Sequence, residues 1–391
     1  MAALIKGNSK PKGSTDLLEA ARYLAPLIAD HADAAERDGR VPKAVIDALA
    51  SAGIFHMFVP RAFGGSEMDV AVGVRTLEEL SKTDGSTGWV AMIGATTGVI
   101  SAYLPEEVSR EVYQPGVVTG GVVAPRGTAE ATGDGYRVNG RWPFASGCEH
   151  SRWLACACIV RGRGEQGERE AEVRMALFPA SVVEVIDTWH VSGLRGTGSH
   201  DIAVTDALVP GDYSYSMSSA PVQPGVLYGF SLMGLLAVSV AAVALGIGRA
   251  ALDEIAEMAP KKMPVGRRKP ISEWSVAQVS LAEGEAALRA GRAFLFEAIG
   301  GMWGTLEGGE QPRAQERALM RLAASQAVQG AVRAVDIAYN LGGGSSIYES
   351  SRLQRQFRDI HAVTQHVSVG PSSMEAAGRV LLGQDVPPGF L

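Results

Sequence analysis

Two of the seven histidines fall within the nine residues "RDIHAVTQH", from Arg358 to His366, near the C-terminus. At neutral pH an imidazole can ligate a metal, move a proton, or hydrogen-bond a reacting atom. Chelation from one helix needs two ligands on one face, as an i, i+4 pair supplies. His361 and His366 are five positions apart, roughly 140° around a helix. A metal pair is therefore not expected, and at most one of the two faces a given pocket. Taken alone, a histidine late in a helix is more often structural than catalytic.

A second stretch with chemistry in it is "WPFASG", Trp142 to Gly147. It joins two large aromatics to Ser146, whose hydroxyl can donate or accept. By residue type alone it is a strand ending in a turn with two buried aromatic rings. Cys148, Cys156 and Cys158 follow closely. Cys156 and Cys158 alternate in "WLACACIV" and so point to one face of a strand. No further Cys or His stands at ligand spacing, so they read as small core residues. Three cysteines without a secretory signal fit a reducing cytoplasm. No "GxGxxG" follows a strand and opens a helix, so a nicotinamide-type dinucleotide fold is not expected.

The elements that must position these residues are legible in outline. The 391 residues, 46% hydrophobic and 20% charged, suffice for a large core and do not describe a disordered chain. A net charge of −6 gives no basic footprint for nucleic acid or for acidic membrane surfaces. The N-terminal third is helical. "LLEAARYLAPLIADHADAAERDG" stops at Gly39, "VPKAVIDALASAGIF" starts near Pro42 and breaks at Gly53, and "VAVGVRTLEELSKTD" follows a turn-rich loop. From about Val117 to Pro210 the texture is short alternating runs, with Asp134-Gly135 and Asn139-Gly140 as turn dipeptides. "RGRGEQGEREAE" reads as a solvated loop between two strands. From Gly225 onward four long helices are expected, an up-and-down bundle. Tyr213 to Gly248 carries no charged residue and is long enough to span a bilayer. Its Gly, Ala and Ser content and the lack of a basic flank favour a helix buried inside a bundle. The domains expected are 1–117 (helical), 118–220 (β) and 221–391 (helical bundle), an α+β protein that is mostly α.

"DGYRVNGRWPFASGCEHSRW", "WHVSGLRGTGSHDIAVTDALVP" and "LGGGSSIYESSRLQRQFRD" resemble, in the right order, segments of the acyl-CoA dehydrogenase superfamily. The dehydrogenases of that superfamily commonly keep a glutamate in an "EGT" context after the Arg-Asp pair. Here "IHAVTQHV" follows Arg358-Asp359, and His366 falls close to the glutamate's position. Glu349 in "IYES" precedes the pair and is a coincidental match. "WPFASG" and "RDIHAVTQH" look instead like the oxygenase components of two-component flavin monooxygenases. That resemblance implies an acyl-CoA dehydrogenase-like fold with a β-barrel or sandwich in the middle and a four-helix bundle at the end. It implies reduced FMN or FAD supplied by a separate NAD(P)H-dependent flavin reductase. It also implies molecular oxygen, a flavin C4a-hydroperoxide, a small aromatic substrate and a homotetramer.

By the same resemblance His366 and Ser146 are catalytic. Trp142 and Phe144 wall the flavin, and Thr197, Ser199 and Arg267 reach its phosphate. Gly343 and Gly344 let backbone approach it from a neighbouring subunit. Trp89 lines the substrate cavity, and His361 is structural. His366 either takes a proton from the substrate or hydrogen-bonds the peroxide. The alternatives are an acyl-CoA dehydrogenase with bound FAD, an N-oxygenase of an amine or amino sugar on the same scaffold, and a helical scaffold that has lost flavin.

Overall fold

The computed structural model describes residues 16–161 and 172–386; most of the charged connection "RGRGEQGEREAE" lies outside them. The N-terminal part is helical: α1 (Asp16–Asp38), α2 (Lys43–Ser51), α3 (Val70–Thr83), α4 (Gly85–Thr97) and α5 (Glu106–Val112). α1 and α2 stop where expected, with Gly39 and Gly53 at φ of 70° and 81°. Asp69 caps α3, its carboxylate accepting from the N–H of Ala71 at 2.6 Å.

The β region comprises β1 (Thr119–Ala131), β2 (Gly135–Trp142), β3 (Trp153–Arg161), β4 (Val173–Pro179), β5 (Glu184–Ile186), β6 (Asp201–Pro210) and β7 (Ser214–Ser216). They form one mixed sheet in the order β5-β6-β2-β1-β3-β4-β7, with β1 and β3 parallel and every other neighbour antiparallel. Asp134-Gly135 lies at the β1–β2 hairpin as read. Asn139-Gly140 does not turn the chain: it sits inside β2, where the register to β6 shifts between Val138 and Gly140. Asn139 Oδ1 takes the N–H of Asp206 at 2.8 Å, so the side chain serves a bulge. One side of the sheet packs Ala155, Ala157, Met175 and Leu177 on Leu104, Val112 and Tyr113 of the helical part. The other encloses Trp142, Cys148, Cys156, Cys158 and Phe178 in one cluster, the two alternating cysteines together as the strand period requires.

Five helices complete the chain: α6 (Leu232–Met258), α7 (Ser275–Glu307), α8 (Ala314–Gly342), α9 (Arg352–Val363) and a final α10 (Pro371–Leu381). The second half of the uncharged segment, from Leu232, opens α6, a helix long and apolar enough to cross a bilayer, yet 94% of its most apolar window is buried in the protein. It packs on α3, α4, α8 and α9 and is the axis of the core. Its approach to α3 is close. A Cβ added at Gly246 would stand 2.4 Å from the carbonyl oxygen of Glu78, so only glycine fits.

Candidate active site

The residues singled out by sequence separate into an inner cluster and an outer pair of loops. α4 begins the inner one. Asp84 caps it, Oδ2 accepting from both the N–H and the hydroxyl of Thr87 at 2.7 Å. That cap fixes the first turn, which carries Trp89. The indole N–H of Trp89 donates to Ser146 Oγ at 3.0 Å, linking α4 to the turn after β2. Ser146 Oγ lies 2.6 Å from Ser199 Oγ, and Ser199 Oγ lies 2.6 Å from Thr197 Oγ1. Thr197 donates its proton to the carbonyl of Leu194 at 2.8 Å.

Each hydroxyl carries one proton, so the chain has one direction: Trp89 to Ser146 to Ser199 to Thr197 to Leu194. The donor capacity of Ser146 is thereby used within the protein, and what remains at its oxygen is acceptor capacity. Leu194, at φ 52°, is held in turn by α9: its N–H donates to Asp359 Oδ1 at 2.6 Å. Burial of Asp359 pushes its carboxyl up to about 7, opposed by that N–H and assisted by the charges of Asp84 and Glu36.

His366 completes the cluster, and it is not on the helix. α9 ends at Val363, with Thr364 as its C-cap, so the angle around a helix does not describe the two histidines. They are separated by their contacts instead. His361 bonds Asp336 on α8 at 3.0 Å and lies edge-on to Phe357. His366 sits in the turn before α10, its ring edge-on to Trp89 with centroids 5.5 Å apart. Nδ1 accepts the N–H of Ser368 at 3.2 Å and lies 2.7 Å from the Ser368 hydroxyl. These contacts assign the ring proton to Nε2. Burial, then the positive charge of Arg321, pushes the imidazole down to about 4. His366 is a neutral N–H donor.

Other expected site residues stand elsewhere. Trp142 requires a correction: its side chain is fully buried inside the β core, donating to the Ala157 carbonyl at 2.8 Å and packed on Phe178. β-strand alternation points it inward, so it offers no face to a cofactor. Phe144 lies two residues on at φ 65° and is 68% exposed, its ring perpendicular to Trp189. Arg267 is exposed between α6 and α7, its guanidinium over Trp274 at 5.1 Å. Gly343 and Gly344 are exposed after α8. Lys262 ties these two loops together by donating to the Gly342 carbonyl and to Ser345 Oγ. Phe144 stays tied to the inner cluster, its carbonyl accepting the N–H of Ser146 at 2.9 Å, whereas among the described residues no hydrogen bond joins Arg267, Gly343 or Gly344 to Ser146 or His366. Glu349 is exposed in the turn before α9.

Sequence reasoning missed Asp84, Asp359 and Ser368. An aspartate directly before "GSTGW" is a readable cap signal. Ser368 carries no signal, because its contact depends on the turn after α9.

The chain matches the family models for the acyl-CoA dehydrogenase N-terminal domain over residues 17–121 and C-terminal domain over residues 238–371. It is 32% identical over 358 residues to an indole-3-acetate monooxygenase of Pseudomonas putida, covering 91% of each chain. It is 31% identical to the oxygenase component of an FADH2-dependent resorcinol hydroxylase of Rhizobium sp., covering 93% of this chain and 92% of that one. Among solved structures, XiaF from Streptomyces sp., in complex with FADH2 and glycerol, superposes with a TM-score of 0.89 at 26% identity. That match covers 96% of this chain and 97% of that one. With family models matched over more than half of the chain, and with relatives above 30% identity named as a monooxygenase and an oxygenase component, the chain belongs to the flavin-dependent monooxygenases of the acyl-CoA dehydrogenase fold, as an oxygenase component.

Proposed function

We propose that the protein takes reduced FMN or FAD from a separate NAD(P)H-dependent reductase and uses molecular oxygen to hydroxylate a small aromatic substrate beside His366 and Ser146. The inner cluster fits a flat cofactor. Phe144 holds an exposed ring at positive φ beside Trp189, surface that a planar ring system would cover. Ser146 keeps acceptor capacity, which suits an N–H of a reduced flavin. Thr197 and Ser199 spend their hydroxyls on one another and on Leu194. Their support for a phosphate is therefore weaker than that of Arg267 and the Gly343–Gly344 backbone.

Reduced flavin supplies the electrons that activate oxygen, and the protein supplies orientation and dryness. A neutral imidazole with Nε2–H fixed by Ser368 is a preorganised donor toward developing negative charge. At about 4 it is a weak base, which favours the hydrogen-bonding role over proton abstraction from substrate. Trp89 holds both partners in place, its N–H on Ser146 and its ring on His366. This convergence of three distant segments is the observation that carries the reading.

The test is aerobic turnover with a flavin reductase, NADH and labelled dioxygen, using indole-3-acetate and resorcinol as probes, the relatives' own substrates by name. One labelled oxygen in the product is expected. Anaerobic bleaching of a bound FAD by an acyl-CoA, with no labelled product, would overturn the reading.

A further inference from the structure

α8 carries a charge inside the protein. Arg321, in the second turn of that helix, is only 4% exposed. One terminal nitrogen of its guanidinium donates to the Met233 carbonyl at 3.1 Å, and the other donates to Ser373 Oγ at 2.8 Å. These partners stand in the first turns of α6 and α10. The Arg321 Nε–H meets no acceptor, and among the described residues no carboxylate pairs with the guanidinium. A guanidinium keeps its proton even when buried. A buried cation with no anion beside it destabilises a fold, and departures of that kind mark places where the charge serves function.

The path beyond Ser373 leads to the active site. A serine oxygen that accepts from Arg321 must turn its own proton elsewhere. Ser373 turns it to the His366 turn, onto the Ser368 carbonyl at 3.0 Å with the Val367 carbonyl at 3.4 Å. The N–H and the hydroxyl of Ser368 in turn meet His366 Nδ1. Guanidinium, Ser373 and Ser368 thus fasten the turn between α9 and α10 to α8. His366 itself is half-buried, so part of the ring stays open. Its contacts from α4 and from its own turn, Trp89 and Ser368, are uncharged. After burial, the influence that opposes a second proton on the ring is the charge of Arg321.

We propose that Arg321 is a positioning residue for the oxygenation: through Ser373 it sets the turn that presents His366, and its unpaired charge keeps the imidazole a neutral Nε2–H donor. The inference rests on the reading of His366 as a hydrogen-bond donor in an oxygenase and adds the group that makes it one. NMR of flavin-free protein carrying ring-labelled (13C, 15N) histidine reads the imidazole directly, the His366 signal being identified by its loss in His366→Gln. In the wild type that signal should remain the neutral Nε2–H form from about pH 8 to about 5.5. Arg321→Met leaves no buried charge, so the midpoint should move toward the ordinary 6.5 by at least ~1 pH unit. Arg321→Gln serves the same purpose should the methionine variant not fold. Arg321→Lys keeps the charge and should hold the ring neutral. Ser373→Ala keeps the charge but loses the clamp, so it should mix the two neutral tautomers without raising the midpoint.

A midpoint unmoved by removal of the charge overturns the proposal, as does one raised as far by Arg321→Lys. A single, unchanged tautomer in Ser373→Ala overturns the clamp. Aerobic turnover of the same proteins reads the consequence: product per NADH should fall with falling pH in Arg321→Met and stay level in Arg321→Lys. A wild type that incorporates no labelled oxygen sinks the oxygenase reading instead, whereas the hold of Arg321 on the ring is judged from the flavin-free titration alone.

Discussion

Trp89 and Ser146 are coupled through a buried hydrogen bond, so their substitutions should not add. Ser146→Ala leaves the indole N–H without an acceptor and should cost about 1–3 kcal/mol. Trp89→Phe removes the donor and trims the ring. In urea denaturation the double variant should be more stable than the sum of the singles predicts, by roughly 1 kcal/mol; strict additivity would mean that the contact carries no energy. His366 gives a pH signature. The folded imidazole protonates near 4, against an ordinary value of 6.5. Between those limits the unfolded chain binds more protons, so stability falls as pH drops from about 6.5 to about 4, by at most ~3 kcal/mol. His366→Gln should lose that slope, as denaturation midpoints across this range would show.

Among the elements, α9 acts at a distance by holding Leu194 through Asp359. The carboxyl of Asp359 titrates near 7 instead of 3.8. From about pH 4 to 7 the native state therefore binds the extra proton, and this residue's contribution to stability declines as pH rises across that window. Asp359→Asn keeps an oxygen for the Leu194 N–H and cannot ionise. It should gain on the wild type from pH 4 to 7 by on the order of 1–4 kcal/mol, then hold level; a constant difference would contradict the assignment.

Helix stops at Gly39 and Gly53, the buried α6 and the alternating cysteines were legible in sequence, because each is a local or periodic signal. The bulge at Asn139-Gly140 was not, since a turn dipeptide and a bulge share composition and only the pairing with β6 separates them. Trp142 misled for a related reason. Resemblance places the strand at the flavin, but alternation decides which side chains face it. The position of His366 beyond the helix, and hence its bond to Ser368, depends on where α9 ends, among the least sequence-determined features of a helix.

At the scale of the whole molecule, sheet and bundle meet at one seam, with Ser146 and Leu194 on the sheet side and His366 and Asp359 on the bundle side. Closeness of α3 and α6 at Gly246 sets how the N-terminal helices sit on that seam. Gly246→Val would force the helices apart and should cost more than ~3 kcal/mol, read as a loss of folded protein at 37 °C. The measurement that bears most directly on the account is the partition of oxygen in aerobic turnover, comparing wild type with His366→Ala. Hydroxylated product per NADH consumed should fall at least ~10-fold in the variant while hydrogen peroxide release persists or rises. An unchanged yield of product per NADH would show that the imidazole has no part in directing oxygen to the substrate.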